Sequence, residues 1–397
     1  MRVPLLDLSE EYRALAEPIR AAVDEVLSSQ NFILGPQVAR FEKAIAVFCG
    51  TPHAIGVSSG TDALLAILMA MKIGPGDAVI TSAYTFFATA GCIARVGAKP
   101  IFVDIDPDTF NLSPEAVERF LADKGADGEG RPVDADGNTI RAIVPVHLFG
   151  LCCNMAALLA IGRTHHLRVI EDAAQAIGAQ CPLPEGVAQA GTMGEVGYFS
   201  FYPSKNLGAA GDAGMVICRD GQFAQALRVC RQHGMEPRYY HHFIGGNFRL
   251  DEIQAAILNV KLPCLDAWSA ARRAAADFYR EEFQRYDLAA YVSLPLEPFR
   301  ESGATNHHIY HQYVIRTPRR DELREQLSRS EIGTAIYYPV GLHEQKCFAY
   351  LDYRAGDLPE TERAARETLA LPIFPGLARE QQRYVVQSIA QFFGHAS

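Results

Sequence analysis

The chain has 397 residues, 49% of them hydrophobic and 21% charged, with a formal net charge of −9. That is enough chain to bury one large core and a smaller one; the acidic balance without a basic block argues against nucleic acid, and no apolar run reaches the roughly 18 residues of a membrane span. The nine cysteines are scattered without a C-x-x-C pair, which indicates neither a disulfide framework nor a metal site. The opening stretch MRVPLLDLSEEYRALAEP turns acidic too early for a secretory signal, so a reducing cytoplasm is expected.

The first two-thirds reads as alternating helix and strand. DALLAILMAMK (62–72) is apolar all round and predicts a buried helix, stopped by Gly74-Pro75-Gly76-Asp77 before the strand AVIT (78–81). A helix around 87–95 leads to the strand KPIFVDID (99–106). SPEAVERFLA (113–122) opens with a Ser N-cap and Pro at the first helical position. The polar DKGADGEGRPVDADGNT (123–139) reads as an exposed loop. IRAIVPVHLFG (140–150) and LRVIEDAAQAIG (167–178) each begin as strands. This rhythm predicts an α/β fold, a mostly parallel sheet covered on both faces. From about 261 the texture changes. LDAWSAARRAAADFYREEF (265–283) predicts a long helix leading into a second unit with the strand HQYVIRT (311–317) and the helix DELREQLSRS (321–330). The expected division is a large domain over 1–260 and a small α+β domain over 261–397.

Four stations stand at the ends of predicted elements. In SSGTDALLA (58–66), small residues precede a helix and expose backbone N–H groups, an anion site suited to phosphate; a plain cap by Ser59 or Thr61 is the alternative. SAYTFFATA (82–90) puts Tyr84 and Phe86 after a strand, where either ring could stack on a flat ligand or serve the core. VIEDAAQA (169–176) brings two carboxylates to the C-terminal end of a strand, where open α/β sheets bind ligands. There Asp172 either caps a helix or holds a protonated heterocyclic nitrogen. SFYPSKNLG (200–208) carries Lys205 among aromatic, small and turn residues, with Ser200 five positions before it. A lysine that forms a Schiff base needs a lowered pKa and a rigid setting. In order, a phosphate cup, a stacking ring, an Asp for a ring nitrogen and a lysine for an aldehyde describe pyridoxal phosphate.

SSGTDALLA, EDAAQAIGA, SFYPSKNLGAAGDAG and GGNFRLDEIQAAIL (245–258) resemble the signatures of the DegT/DnrJ/EryC1/StrS family of pyridoxal-phosphate-dependent nucleotide-sugar aminotransferases. The resemblance implies the fold-type-I (aspartate aminotransferase-like) architecture and assigns roles. Lys205 is the Schiff-base lysine and proton shuttle. Asp172 pairs with the pyridine nitrogen, Gln175 with the ring hydroxyl, and Phe86 stacks on the ring. Gly60, Thr61 and Ser200 bind the phosphate, and Asn247 reaches the cofactor of the neighbouring subunit in a homodimer with shared sites. Relatives that deoxygenate sugars at C3 carry histidine in place of this lysine, so transamination is implied here.

The implied reaction is ping-pong: L-glutamate gives up its amino group and leaves as 2-oxoglutarate, the cofactor passes through pyridoxamine phosphate, and a nucleoside-diphosphate-linked keto-sugar takes the amine. GTDAL and FYP favour C3 over C4. Arg231, His233, Arg238 and RYYHH (238–242) are candidates for the diphosphate, and Tyr338 and His343 in YYPVGLHEQ (337–345) for the sugar. Rival readings are an aminocyclitol or aminohydroxybenzoate enzyme with the same motifs, a regulatory homologue without chemistry, and an unrelated α/β protein.

Overall fold

The computed structural model describes residues 1–395. Seven strands form the path of the central sheet: β1 (His53–Val57), β2 (Asp77–Ser82), β3 (Lys99–Val103), β4 (Thr139–Val144), β5 (Arg168–Asp172), β6 (Val196–Ser200) and β7 (Gly214–Cys218). Their spatial order is β1-β7-β6-β5-β4-β2-β3. The pairs from β6 through to β3 are parallel. The strand β7 runs antiparallel to both of its neighbours. The sheet is therefore mostly parallel, as the sequence rhythm predicts.

Successive side chains of each strand feed opposite faces. Ala78 and Ile80 enter one core with Phe41, Val117 and Leu158. Val79 enters the other with Leu64, Ile67, Ile93 and Leu227. Burial on both faces explains why these strands read as continuous apolar runs. The helix Gly60–Ala70 lies in the second core with Ala63 through Leu68 all buried, which accounts for its all-round apolar sequence.

The stretch 123–139 is not a bare loop. Two short strands, Gly125–Ala126 and Pro132–Val133, pair with each other, and Val133 pairs onto β4. Asp134 accepts the N–H groups of Asp136 (3.0 Å) and Asn138 (2.8 Å), and Lys99 Nζ donates to it at 2.9 Å. A lysine from β3 thus closes an Asp-rich turn that composition alone marks as solvated.

Beyond Lys261, the helix Leu265–Arg285 enters a third core with the antiparallel pair Tyr313–Arg316 and Thr368–Leu371 and the helices Arg320–Arg329 and Arg379–Phe392. Val3 joins this core from the other end of the chain, bonded to Glu331 O (3.0 Å) and Gly333 N (2.8 Å). Among the described residues, no helix is long and apolar enough to cross a membrane.

Two polar contacts join the sheet to the C-terminal core. Asp104, just after β3, accepts the N–H groups of Glu360 (3.0 Å) and Thr361 (2.8 Å) at the start of the helix Pro359–Glu367. The Tyr84 hydroxyl donates to Tyr337 O at 2.6 Å and lies 2.6 Å from Thr368 Oγ1. Tyr84 is fully buried in this seam, so of the two candidate stacking rings it is the core one. Tyr84→Phe keeps the ring and leaves the buried Tyr337 carbonyl unpaired. Urea denaturation is expected to show a loss of about 1–3 kcal/mol.

Candidate active site

A cavity of about 760 Å³ opens at the C-terminal ends of β5 and β6 and is lined on its C-terminal side by residues 336–340, Leu342 and Gln345. Ser59, Gly60, Thr61, Phe86, Asp172, Gln175, Ser200, Lys205 and Tyr338 all line it. Parallel strands with helices on both faces leave such a crevice beyond their carboxyl ends.

One end is an anion cup. Ser59 caps the helix Gly60–Ala70 by accepting the Asp62 N–H at 3.0 Å. The next N–H groups, of Gly60 and Thr61, lie in the first turn, where the helix supplies no acceptor. Glycine is required at 60 because a Cβ there would lie 2.8 Å from Ser200 Cβ. The capped helix end thereby rests directly on the end of β6, bringing its N–H groups to the hydroxyls of Thr61 and Ser200.

The other end holds Asp172, 4% exposed at the last position of β5. Oδ2 accepts the Thr89 hydroxyl at 2.8 Å and Oδ1 the Ala174 N–H at 3.1 Å. Among the described residues no Lys, Arg or His side chain forms an ion pair with it. Burial of a charge without a counter-charge is costly, so this end of the cavity suits a cationic occupant. Its neighbour Glu171 turns away. It accepts the N–H groups of Gly191 (2.7 Å), Met193 (2.6 Å) and Gly194 (2.6 Å) and the His147 ring at 2.9 Å. The two carboxylates of VIED therefore serve opposite sides of the strand end.

Between Asp172 and Lys205 run the hairpin strands Gln180–Leu183 and Gly186–Gln189 and then β6. Lys205 sits in a tight loop in which its own N–H bonds Tyr202 O (2.8 Å) and the Ala209 N–H bonds Phe201 O (2.8 Å). Lys261 donates to Gly208 O at 2.5 Å, and Asn206 donates to Ile309 O at 3.1 Å. Burial lowers the Lys205 pKa from 10.5 to about 8, and the charge of Asp172 partly opposes that shift. His311 also lines the cavity, with Nδ1 3.1 Å from Asn206 Oδ1. Burial, then Lys205, hold it well below the ordinary histidine pKa and keep the ring neutral.

Phe86 faces the cavity at 57% exposure, its ring centroid 6.3 Å from that of Tyr338. The Gln175 amide is fixed at both ends: Oε1 accepts the Phe149 N–H (2.7 Å) and Nε2 donates to Tyr338 Oη (3.1 Å).

Several expected contacts lie elsewhere. His343 is buried behind the cavity wall, Nε2 3.5 Å from Glu362 and its ring against Tyr353. Arg231 is turned inward, donating to Glu42 (2.5 Å) and Gly56 O (2.7 Å), so it is not free for a diphosphate. His233, Arg238 and Asn247 are exposed on an arm that does not line this chain's cavity. Thr89, Tyr198, His311 and Gln312 line the cavity without having been singled out in the sequence. His311 lies in a stretch that reads simply as a strand, and Thr89 follows two aromatics that draw the eye first.

The model of the DegT/DnrJ/EryC1/StrS aminotransferase family matches residues 13–390. A pleiotropic regulatory protein of Geobacillus stearothermophilus is 48% identical over 100% of both chains. A UDP-N-acetyl-3-dehydro-α-D-glucosamine 3-aminotransferase of Acidithiobacillus ferrooxidans is 40% identical over 96% of this chain and 95% of its own. The crystal structure of a DegT/DnrJ/EryC1/StrS aminotransferase from Brucella abortus superposes with a TM-score of 0.89 at 36% identity, covering 100% of both chains. That of NtdA from Bacillus subtilis, with bound cofactor PMP, gives 0.86 at 29% identity over 99% of this chain and 85% of its own.

The lowered lysine pKa has a consequence for stability without any ligand. Between pH 8 and 10.5 the unfolded chain keeps a proton on Lys205 that the folded chain has released. The unfolded state then binds more protons, so stability rises with pH across this window. Lys205→Met is expected to flatten that rise, measured as the difference between wild-type and variant unfolding free energies at pH 7.5 and pH 10.

Proposed function

The chain belongs to the family whose model it matches, the DegT/DnrJ/EryC1/StrS aminotransferases, and we propose that it is a pyridoxal-phosphate-dependent enzyme moving an amino group from L-glutamate to C3 of a nucleoside-diphosphate-linked keto-sugar. The observation that carries this reading is one cavity holding a depressed lysine amine and a buried carboxylate with no cation of its own. The donor set suits pyridoxal phosphate. Asp172 would hold its protonated ring nitrogen, and Gly60, Thr61 and Ser200 its phosphate. Phe86 would cover its ring, Gln175 would bond its hydroxyl, and Lys205 would meet its aldehyde. When bound, this group supplies a carbonyl for amines to join and a ring that draws electrons from the adjacent carbon.

The chain's own residues do the rest. Asp172, held by two donors, would pair with the charged ring nitrogen. Near pH 7 on the order of a tenth of the Lys205 amine is neutral, roughly three hundredfold more than at the ordinary pKa. Neutral Nζ takes the proton from the α-carbon of the amino donor and, in the return half-reaction, gives one to the sugar carbon that receives nitrogen. The closed loop around Lys205 keeps that amine in place, facing a cavity that residues 336–340 also line.

C3 is supported by the sequence around Lys205 and by the printed activity of the 40%-identical relative, a 3-amino transfer. The 48%-identical relative bears a regulatory name, which favours a second reading as a regulator. Lys205, Asp172 and Gln175 gathered in one cavity speak for chemistry.

The exposed arm supports reading the protein as a homodimer with shared sites. Tyr239 is 73% and Ile244 90% exposed there, beside Asn247. Such apolar exposure on an ordered arm fits docking onto a second copy, where Asn247 of the partner subunit would reach the cofactor phosphate. The site lies in one protein that can be tested directly. The purified chain is expected to take up pyridoxal phosphate, turn yellow, and bleach on addition of L-glutamate. Lys205→Met is expected to lose both responses. A panel of nucleotide-linked 3-keto and 4-keto sugars is expected to show amination of the 3-keto compounds. Failure to take up the cofactor overturns the reading. In sedimentation velocity the chain is expected to run as a dimer, and Ile244→Lys to shift it towards monomer and weaken cofactor retention.

A further inference from the structure

Asp172 meets the cavity with its geometry already set from behind. The carboxylate is 4% exposed, and each of its oxygens carries one donor from this chain: Thr89 Oγ1 at 2.8 Å on Oδ2 and the Ala174 N–H at 3.1 Å on Oδ1. Thr89 is itself 1% exposed, in the first turn of the helix Ala88–Arg95, two residues after Phe87. The third wall is Tyr198, directly opposite Asp172 in the β5–β6 register and also facing the cavity. Burial and the nearby carboxylate push its phenol well above the ordinary tyrosine range, so it adds no second negative charge.

A carboxylate is free to turn about its terminal torsion, which is broad and roughly two-fold. The Ala174 N–H on one oxygen restrains that rotation only in part. The Thr89 hydroxyl on the other oxygen restrains it further. Other titratable groups near this carboxylate are Cys92, whose thiol burial raises to about 12, Cys153, Tyr338 and Lys205. Among the described residues none of them forms an ion pair with it.

We propose that Thr89 is a positioning residue for the cofactor: its hydroxyl locks the Asp172 carboxylate in the one orientation that presents a lone pair to a cationic ring nitrogen. This rests on the pyridoxal phosphate reading above and deepens it. The same hydroxyl sits on the helix that follows Phe86, so ring stacking and nitrogen pairing are set by one short segment. A methyl group in place of the hydroxyl keeps the shape and removes the Thr89 donor to Oδ2.

The test compares apoenzymes of wild type, Thr89→Val, Thr89→Ser and Thr89→Ala by equilibrium dialysis against pyridoxal phosphate, with thermal unfolding of each apo form beside it. Thr89→Val and Thr89→Ala are expected to weaken pyridoxal phosphate binding roughly tenfold, the loss of one hydrogen bond to a charged group. Thr89→Ser is expected to bind within about twofold of wild type, because it restores the donor. A purely structural threonine would give the opposite ranking, since valine keeps its volume and serine does not. Equal binding by all four, or serine as weak as valine, overturns the proposal. Loss of folding in all three variants assigns Thr89 to stability and overturns it too. A wild-type chain that takes up no pyridoxal phosphate removes the cofactor reading itself, a result distinct from any ranking of the variants.

Discussion

A buried carboxylate without a cation of its own is the constraint on which the rest of this molecule turns. Asp172 sits at the end of a parallel strand, sheltered from water, with neutral donors only. Left so, it would cost the fold several kcal/mol. The surrounding architecture holds it with two donors and aims it into the cavity. Glu171 secures the turn at 191–194 on one side of the strand, which leaves Asp172 alone to face the other. The lysine across the cavity is treated in the complementary way. Burial lowers its pKa and so raises the share of it that is a neutral amine. The two groups stay unpaired in function because each is given a different electrostatic setting.

The sheet topology makes this arrangement possible. Parallel strands deliver their carboxyl ends to a single edge, and the helix Gly60–Ala70 delivers its amino end to the same edge. One rim thus gathers a strand-end acid and helix-start N–H groups at opposite poles of the cavity. Because β7 runs antiparallel to both β1 and β6, β1 points the same way as β6, and the helix that follows β1 starts over the end of β6.

Much of this was legible in the sequence, because it depends on local pattern. Strand–helix alternation, the Ser59 cap, the Lys205 loop and the VIED strand end are all short-range features, and their stations meet in one cavity. The misreadings involve partners distant in sequence. The fate of Arg231 is decided by Glu42, and that of Asp134 by Lys99. Nothing near RQHG distinguishes an arginine that turns inward from one that reaches a ligand. His343 was misplaced for a similar reason: its segment borders the cavity through Leu342 and Gln345, and the 3₁₀ turn between them rotates the histidine to the far side. Thr89 escaped because a threonine acting through another side chain leaves no motif of its own.

The pairing of Val3 with residues 331–333 gives the chain an unusual order of assembly. The helix Ser9–Ser29 likewise packs on Glu252–Lys261. A ribosome releases residues in chain order, and these contacts need segments made much later. The opening thirty or so residues therefore wait, without their final partners, while the whole sheet is synthesised. Val3 and Val26, the two buried apolar residues among them, find their cover only once those later segments have formed.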